Sequence, residues 1–153
     1  MKNIDIDYLA NNQQFLKEIA GYWCHEWSAS WDAEAITRKV VNLKNKANTT
    51  ELPILFISKS GNELLGTAGL FKEDLDGRED LSPWLGGVYV KEKYRNKGIA
   101  RKMITRVLEL AKEMGYERLY LYTESASGLY ENLDGHLWKI RKAQGVFLVR
   151  YFI

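Results

Sequence analysis

The segment from Ser82 to Gly115, SPWLGGVYVKEKYRNKGIARKMITRVLELAKEMG, changes its hydrophobic period once, and that change restricts the folds open to the chain. It begins as a short apolar run, Trp84-Leu85-Gly86-Gly87-Val88-Tyr89-Val90, rich in β-forming residues as a buried strand is. It turns polar through Lys91-Glu92-Lys93-Tyr94-Arg95-Asn96-Lys97 and reaches Gly98. From Ile99 the period is helical. Ala100, Met103, Ile104, Val107, Leu108, Ala111 and Met114 form an apolar stripe, and Arg101, Lys102, Thr105, Arg106, Glu109 and Lys112 fill the opposite face. Gly115 has the place of a residue that ends a helix in the left-handed conformation. The unit is therefore strand, basic loop, helix. Such a loop aims the unpaired N–H groups and the positive dipole end of a helix at one spot, and Gly98 lets backbone approach a ligand with no Cβ between them. The chemistry that fits there is a phosphate.

The remaining residues surround this unit with further short elements. Ile4 to Leu9 alternates as a strand does, and Phe15, Leu16, Ile19, Ala20, Trp23 and Trp27 recur at helical spacing over about Gln13 to Trp27. Ser30-Trp31-Asp32 offers a cap for a second helix from Ala33 to Lys46. Pro53 to Ser58 and Glu63 to Phe71 read as a hairpin turned at Lys59-Ser60-Gly61-Asn62. Lys72 to Ser82 is a polar loop carrying Glu73, Asp74, Asp76, Glu79 and Asp80. After the central helix come a strand from Arg118 to Glu124, a short helix from Ser125 to Leu133, and strands at about His136 to Arg141 and Val146 to Ile153. The order is β-α-α-β-β-β-α-β-α-β-β.

A chain of 153 residues holds one domain, here 1–153, with a core of useful size. Its formal net charge of +2 argues against a general affinity for nucleic acid or membrane, so the basic cluster of Lys91, Lys93, Arg95, Lys97, Arg101 and Lys102 is a local feature. Cys24 is the one cysteine, which excludes an internal disulfide and fits a reducing compartment. MKNIDIDYLANNQQ lacks the apolar core of a signal peptide, and no run approaches the ~18 apolar residues of a membrane span. A cytoplasmic location is the default expectation.

Arg95-Asn96-Lys97-Gly98-Ile99-Ala100 reads as R-x-x-G-x-A. It resembles the acyl-CoA pyrophosphate loop of the GNAT superfamily of N-acetyltransferases, Q/R-x-x-G-x-G/A, and the flanking strand and helix stand where that family has them. Ser127-Gly128-Leu129-Tyr130-Glu131-Asn132-Leu133 resembles the same family's closing segment, Y-x-x-L-G-W/F, although Asp134 is inserted before Gly135 and His136 stands where an aromatic is common. The resemblance implies an α/β fold with a mixed, mostly antiparallel central sheet flanked by helices, as in acyl-CoA N-acyltransferases. It implies transfer of an acetyl group from acetyl-CoA, as co-substrate, to a primary amine. Carried over by position, the donor would be held by Val88, Tyr89, Val90, Arg95, Asn96, Lys97, Gly98, Ile99, Ala100, Arg101 and Ser127. Its pantetheine arm would pair like a strand with Val88-Tyr89-Val90, a backbone N–H of that strand would polarise the thioester, and Tyr130 would protonate the departing thiolate.

Many members of the family carry a glutamate base on the central strand near the position of Trp84, and this chain has none there. Asp74, Asp76, Glu79, Glu124 or a water relay are the alternatives, and the same carboxylates with Trp84 are the candidate acceptor site, since an amine is cationic at neutral pH. A solvated loop explains the acidic residues equally well. Trp23, Trp27, Trp31 and Tyr22 suit either core or acceptor pocket. Gly61 to Gly66-Thr67 lacks the lysine of a Walker loop, no G-x-G-x-x-G is present, and Cys24-His25-Glu26 cannot converge on a metal from adjacent helix positions, so no metal site is expected. The expected acceptor is a small cationic amine. A protein N-terminus or lysine, or a CoA-binding regulatory module without turnover, are the other readings. Neither nucleic acid nor membrane is an expected partner, and a homodimer is compatible with the sequence.

Overall fold

In a computed structural model of the chain, which describes residues 3–123, 138–143 and 146–153, a seven-stranded sheet runs in the order β1-β2-β3-β4-β5-β7-β6. The strands are β1 (Asp5–Tyr8), β2 (Ile54–Ser60), β3 (Glu63–Phe71), β4 (Trp84–Val90), β5 (Arg118–Thr123), β6 (Trp138–Ala143) and β7 (Val146–Phe152). The helices are α1 (Leu16–Trp27), α2 (Ala33–Lys44) and α3 (Ile99–Glu113). All neighbouring strands pair antiparallel except β4 and β5, which are parallel and joined through α3. The fold is thus the mixed, mostly antiparallel sheet that the sequence implies. The expected helix over Ser125–Leu133, with Ser127, Tyr130 and the neighbouring Glu124, lies outside the described residues, as do Asp134-Gly135-His136.

The strands read as nearly continuous apolar runs because helices cover both faces of the sheet. On one face Ile54, Phe56, Leu65, Leu70, Leu85, Leu119 and Leu121 meet α3 through Met103, Ile104, Val107 and Ala111. On the other, Leu55, Ile57, Leu64, Phe71, Trp84 and Tyr120 meet Leu16, Ile19, Ala20 and Trp23 of α1 and Leu43 of α2. Strict alternation survives as a switch of layer, not of solvent. Each large side chain so placed contributes about 1.5–3 kcal/mol relative to exposure. Leu110 joins the buried stripe of α3, whereas Met114, expected inward, is 37% exposed because the helix has already turned at its end. There Gly115 (φ 86°) donates to the Lys112 carbonyl and Tyr116 to that of Ala111, both at 3.0 Å, a Schellman closure. Asp32 caps α2 by accepting from the Ala35 N–H at 2.8 Å.

Two irregularities of β4 create the site. Its register with β3 passes from Thr67↔Tyr89 to Gly69↔Gly86, so β4 carries one residue more, and Gly87 (φ 61°) takes up the bulge. The bulge is pinned by a relay: Trp23 Nε1–H donates to Thr67 Oγ1 at 3.0 Å, and that hydroxyl donates to the Gly87 carbonyl at 2.7 Å. A Cβ on Gly87 would lie 2.7 Å from the Trp23 ring. Gly87→Ala should therefore destabilise the fold by about 2–4 kcal/mol, combining left-handed strain with overpacking. Chemical denaturation measures this, and an unchanged midpoint would mean that the bulge is not fixed by Trp23. The second irregularity is at the β5 edge. β4 meets β5 only at Trp84↔Tyr120, where the Tyr120 N–H donates to the Pro83 carbonyl at 2.9 Å. From Leu85 onward that edge has no ladder partner among the described residues.

Candidate functional site

The open edge of β4 runs into a tightly built loop. A single 3₁₀ turn, Glu92–Tyr94, follows β4, and Glu63 at the start of β3 gathers it: Glu63 accepts from the Tyr94 hydroxyl at 2.9 Å and pairs with Lys93 at 3.1 Å and Lys91 at 3.5 Å. Lys91 is buried and also pairs with Glu18 of α1. Two of the cations expected around a phosphate are thus committed to holding the loop on α1 and β3. Arg95, Lys97, Arg101 and Lys102 are exposed around the start of α3.

Hydrogen bonds from Tyr94 and Lys93, reinforced by the charge of Lys91, hold the Glu63 pKa down to about 2, below its ordinary 4.5. A depressed carboxylate contributes stability that is present above its unfolded value and lost as pH falls through its folded one. The clamp should therefore weaken between pH 4.5 and 2. Glu63→Gln should remove that part of the acid dependence of unfolding. An unaltered profile in the variant would dissociate Glu63 from the loop's stability.

Arg95 leaves the 3₁₀ turn in extended conformation, donates Nε–H to the Val90 carbonyl at 2.9 Å and lies 5.6 Å above the Tyr89 ring. Asn96 (φ 63°) and Gly98 (φ 77°) both adopt the left-handed conformation and curl the chain into α3. No side chain caps α3, and a Cβ on Gly98 would meet nothing within 4 Å. Among the described residues the first N–H groups of the helix, at Ile99, Ala100 and Arg101, thus have no side-chain cap and lie close in sequence to exposed cations, which is the geometry of an anion site. The Ile99 side chain is buried beneath it. Val88 and Val90 also send their side chains into the α3 core, so at these two positions only backbone is available to a ligand.

Tyr89 points to the other face, where it stacks on Tyr22 at 5.1 Å and meets Trp27 edge-on at 6.3 Å. A groove of about 770 Å³ runs along α1 beside Tyr89, its lining including Lys17, Glu18, Tyr22, His25 and Glu92. Trp27 and Trp31 are 52% and 55% exposed, whereas Trp23 is core. Cys24 is buried against the Ala35 carbonyl at 3.7 Å, and the neighbouring His25 ring turns to Trp31 at 5.0 Å, so the two diverge.

The acidic loop sorts its carboxylates by environment. Glu79 accepts from the Gly77 N–H at 3.0 Å, and Asp80 takes a bidentate contact from Arg78 at 3.0 and 3.1 Å; both pKa values are lowered by these hydrogen bonds and backbone donors. Asp76 is exposed. Asp74 turns inward against β4, and burial pushes its pKa up to about 6 against the opposing charge of Lys46. Trp84, a candidate acceptor contact, is 0% exposed, donates Nε1–H to the Leu81 carbonyl at 2.7 Å and supports the rings of Tyr120 and Tyr122. Sequence reasoning missed Glu63, Thr67, Lys46 and the Gly86-Gly87 pair. Two glycines inside a strand are a bulge signal, and that one was available.

The chain matches the Acetyltransferase (GNAT) family over residues 13–134. Among curated proteins it is 32% identical over 72 residues to N-acetyltransferase 8B of Rattus norvegicus, a stretch covering 46% of this chain and 32% of that protein; the chain thus spans about a third of that relative's length. Among solved structures it is similar to the PaiA N-acetyltransferase of Thermoplasma acidophilum in complex with coenzyme A (17% identity, TM-score 0.69, 99% of each chain covered). It is also similar to a ribosomal-protein-alanine N-acetyltransferase of Brucella melitensis (16% identity, TM-score 0.69, 97% of this chain and 99% of that one).

Proposed function

The chain belongs to the GNAT family of acetyltransferases, and from that premise we propose that it moves the acetyl group of acetyl-CoA to the primary amine of a small cationic molecule. The observation that carries this reading is the continuity of two features among the described residues: the β4 edge without a ladder partner after Trp84, and the start of α3 into which it leads, with no side-chain cap and with exposed cations close by in sequence. From Leu85 to Val90 the edge offers roughly 20 Å of strand, a length on which an amide-bearing pantetheine arm can pair while its pyrophosphate rests at Arg95 to Arg101.

Bound in this way, the donor directs its thioester toward the bulge at Gly87, where a β4 backbone N–H polarises the carbonyl. The amine attacks the carbonyl carbon, the tetrahedral intermediate collapses, and the C–S bond breaks as Tyr130 gives its proton to the thiolate. The preference for a cationic acceptor rests on the carboxylates Asp74, Asp76 and Glu79, joined in sequence by Glu124, and on the exposed ring of Trp27. Ser127 belongs to the donor side by its place in the motif. A reducing, cytoplasmic setting suits the single buried thiol.

The test is release of free CoA thiol from acetyl-CoA in the presence of spermidine, kanamycin and an alanine-initiated peptide, assayed separately. Release that depends on spermidine or kanamycin supports the proposal. Release only with the peptide transfers the activity to protein N-termini, and binding of acetyl-CoA without release to any amine makes the chain a CoA-binding module.

A further inference from the structure

We infer that Asp74 accepts the proton of the reacting amine, standing, from the β3–β4 loop, in the place of a side chain that the central strand lacks at Gly86. This deepens the acetyltransfer reading and rests on it. An ammonium cannot attack a thioester until it loses a proton, so a base is needed within hydrogen-bond reach of the amine or one water away. β4 brings none of its own along Trp84-Leu85-Gly86-Gly87-Val88-Tyr89-Val90.

The geometry supplies one from outside the strand. A Cβ on Gly86 would lie 2.7 Å from Asp74 Oδ2 and 3.1 and 3.2 Å from the Phe71 ring. The glycine thus vacates the space that the carboxylate fills. Gly86 is next to the bulge residue Gly87 and two residues beyond Trp84, the last point at which β4 is paired to β5. The carboxylate therefore rests on the β4 backbone just past its last pairing with β5, on the same face of the sheet as Phe71 and Trp84.

Its surroundings suit the role. Phe71 of β3 and Gly86 of β4 are not titratable, and among the described residues the charged group acting on Asp74 is Lys46, just past α2, itself half-buried and lying 5.6 Å from the Phe71 ring. Burial outweighs that lysine and brings the carboxyl to about 6, whereas hydrogen bonds lower Glu79 and Asp80 in the same loop. Asp74 is thus the strongest base among these three and is still ionised at pH 7. The step balances as R–NH₃⁺ plus carboxylate giving R–NH₂ plus carboxylic acid. The free amine then forms the C–N bond and the C–S bond breaks; the thiolate takes the Tyr130 proton, the second proton shed by the acylated nitrogen restores Tyr130, and the Asp74 acid returns its own proton to solvent after the product leaves.

A purely structural Asp74–Lys46 pair would behave differently, and the sign of the pH linkage separates the two. The folded value, about 6, lies above the ordinary 3.8, so the native state binds this proton more tightly and the ionised form costs stability as pH rises through that window. Asp74→Asn should therefore raise Tm at pH 7.5 and leave it nearly unchanged at pH 4, whereas loss of a stabilising ion pair would lower it at pH 7.5.

The experiment measures kcat/KM against pH for whichever of spermidine, kanamycin and the alanine-initiated peptide the unmodified protein acetylates, together with Tm and acetyl-CoA affinity. Unmodified protein should show an acid limb near pH 6. Asp74→Asn should lose about 10²–10⁴-fold, lack that limb, keep its acetyl-CoA affinity, and melt higher at pH 7.5; Asp74→Glu should recover part of the rate. Turnover within about threefold of the unmodified protein with the acid limb intact, or a lower Tm at pH 7.5 with the limb retained, would overturn the inference and leave acetyl transfer standing. Absence of turnover by the unmodified protein with all of these amines would overturn the acetyltransfer reading, and this inference with it.

Discussion

Gly98→Val is expected to weaken acetyl-CoA binding at least about tenfold while the protein stays folded. Gly98 holds φ at 77°, and beyond its chain neighbours no atom of the described residues lies within 4 Å of its missing Cβ, so there is room among them for a larger side chain. The cost to the fold is the left-handed conformation of a residue with a Cβ, about 1–2 kcal/mol, which lowers the melting temperature by several degrees at most. The cost to the ligand is greater. The side chain would project into the space faced by the N–H groups of Ile99 to Arg101, where charge-assisted hydrogen bonds to a phosphate are worth about 1.5–3 kcal/mol each. Losing one or two of them gives the stated factor. Titration calorimetry on folded variant protein checks it, and an unchanged Kd would show that the pyrophosphate lies elsewhere.

Tyr130→Phe should lower kcat by about 10²–10⁴-fold, the usual worth of general-acid assistance, if proton transfer to the thiolate limits turnover. Phenylalanine keeps the ring, so acetyl-CoA affinity should hold, and a fall in kcat at constant donor affinity marks an interaction made only as the C–S bond breaks. A tyrosine with a merely structural hydroxyl would give the reverse pattern, about 1 kcal/mol of lost stability with turnover nearly intact. Measuring kcat and Tm on the same variant separates the two, and near-normal turnover would assign the proton to water.

The central unit was legible because its physics is local. A β-rich apolar run, a glycine, and a stripe of period 3.6 define β4, the loop and α3 in adjacent residues, and β4 begins and ends where the pattern does. What escaped depends on contacts distant in sequence. Lys91 and Lys93 look like phosphate ligands beside Arg95 and Lys97, yet Glu63, 28 residues before Lys91, takes both. Nothing local in the sequence assigns Glu63 to that loop.

The acidic loop illustrates the same limit. Its five carboxylates are chemically equivalent as letters, and only tertiary burial lifts Asp74 while hydrogen bonds lower Glu79 and Asp80. Trp84 shows it in reverse. Its place in the central strand suggested an acceptor contact, but a fully buried indole bonded to Leu81 belongs to the wall that supports Tyr122.

The most direct measurement compares two donors on unmodified protein by titration calorimetry: acetyl-CoA, and S-acetylpantetheine, which shares the thioester arm but has no pyrophosphate. If the open edge of β4 and the start of α3 form one donor site, acetyl-CoA should bind at about one equivalent per chain and S-acetylpantetheine roughly a hundredfold or more weaker, given two or more charge-assisted hydrogen bonds lost. Equal affinity for the two, or no saturable binding of acetyl-CoA, would contradict it.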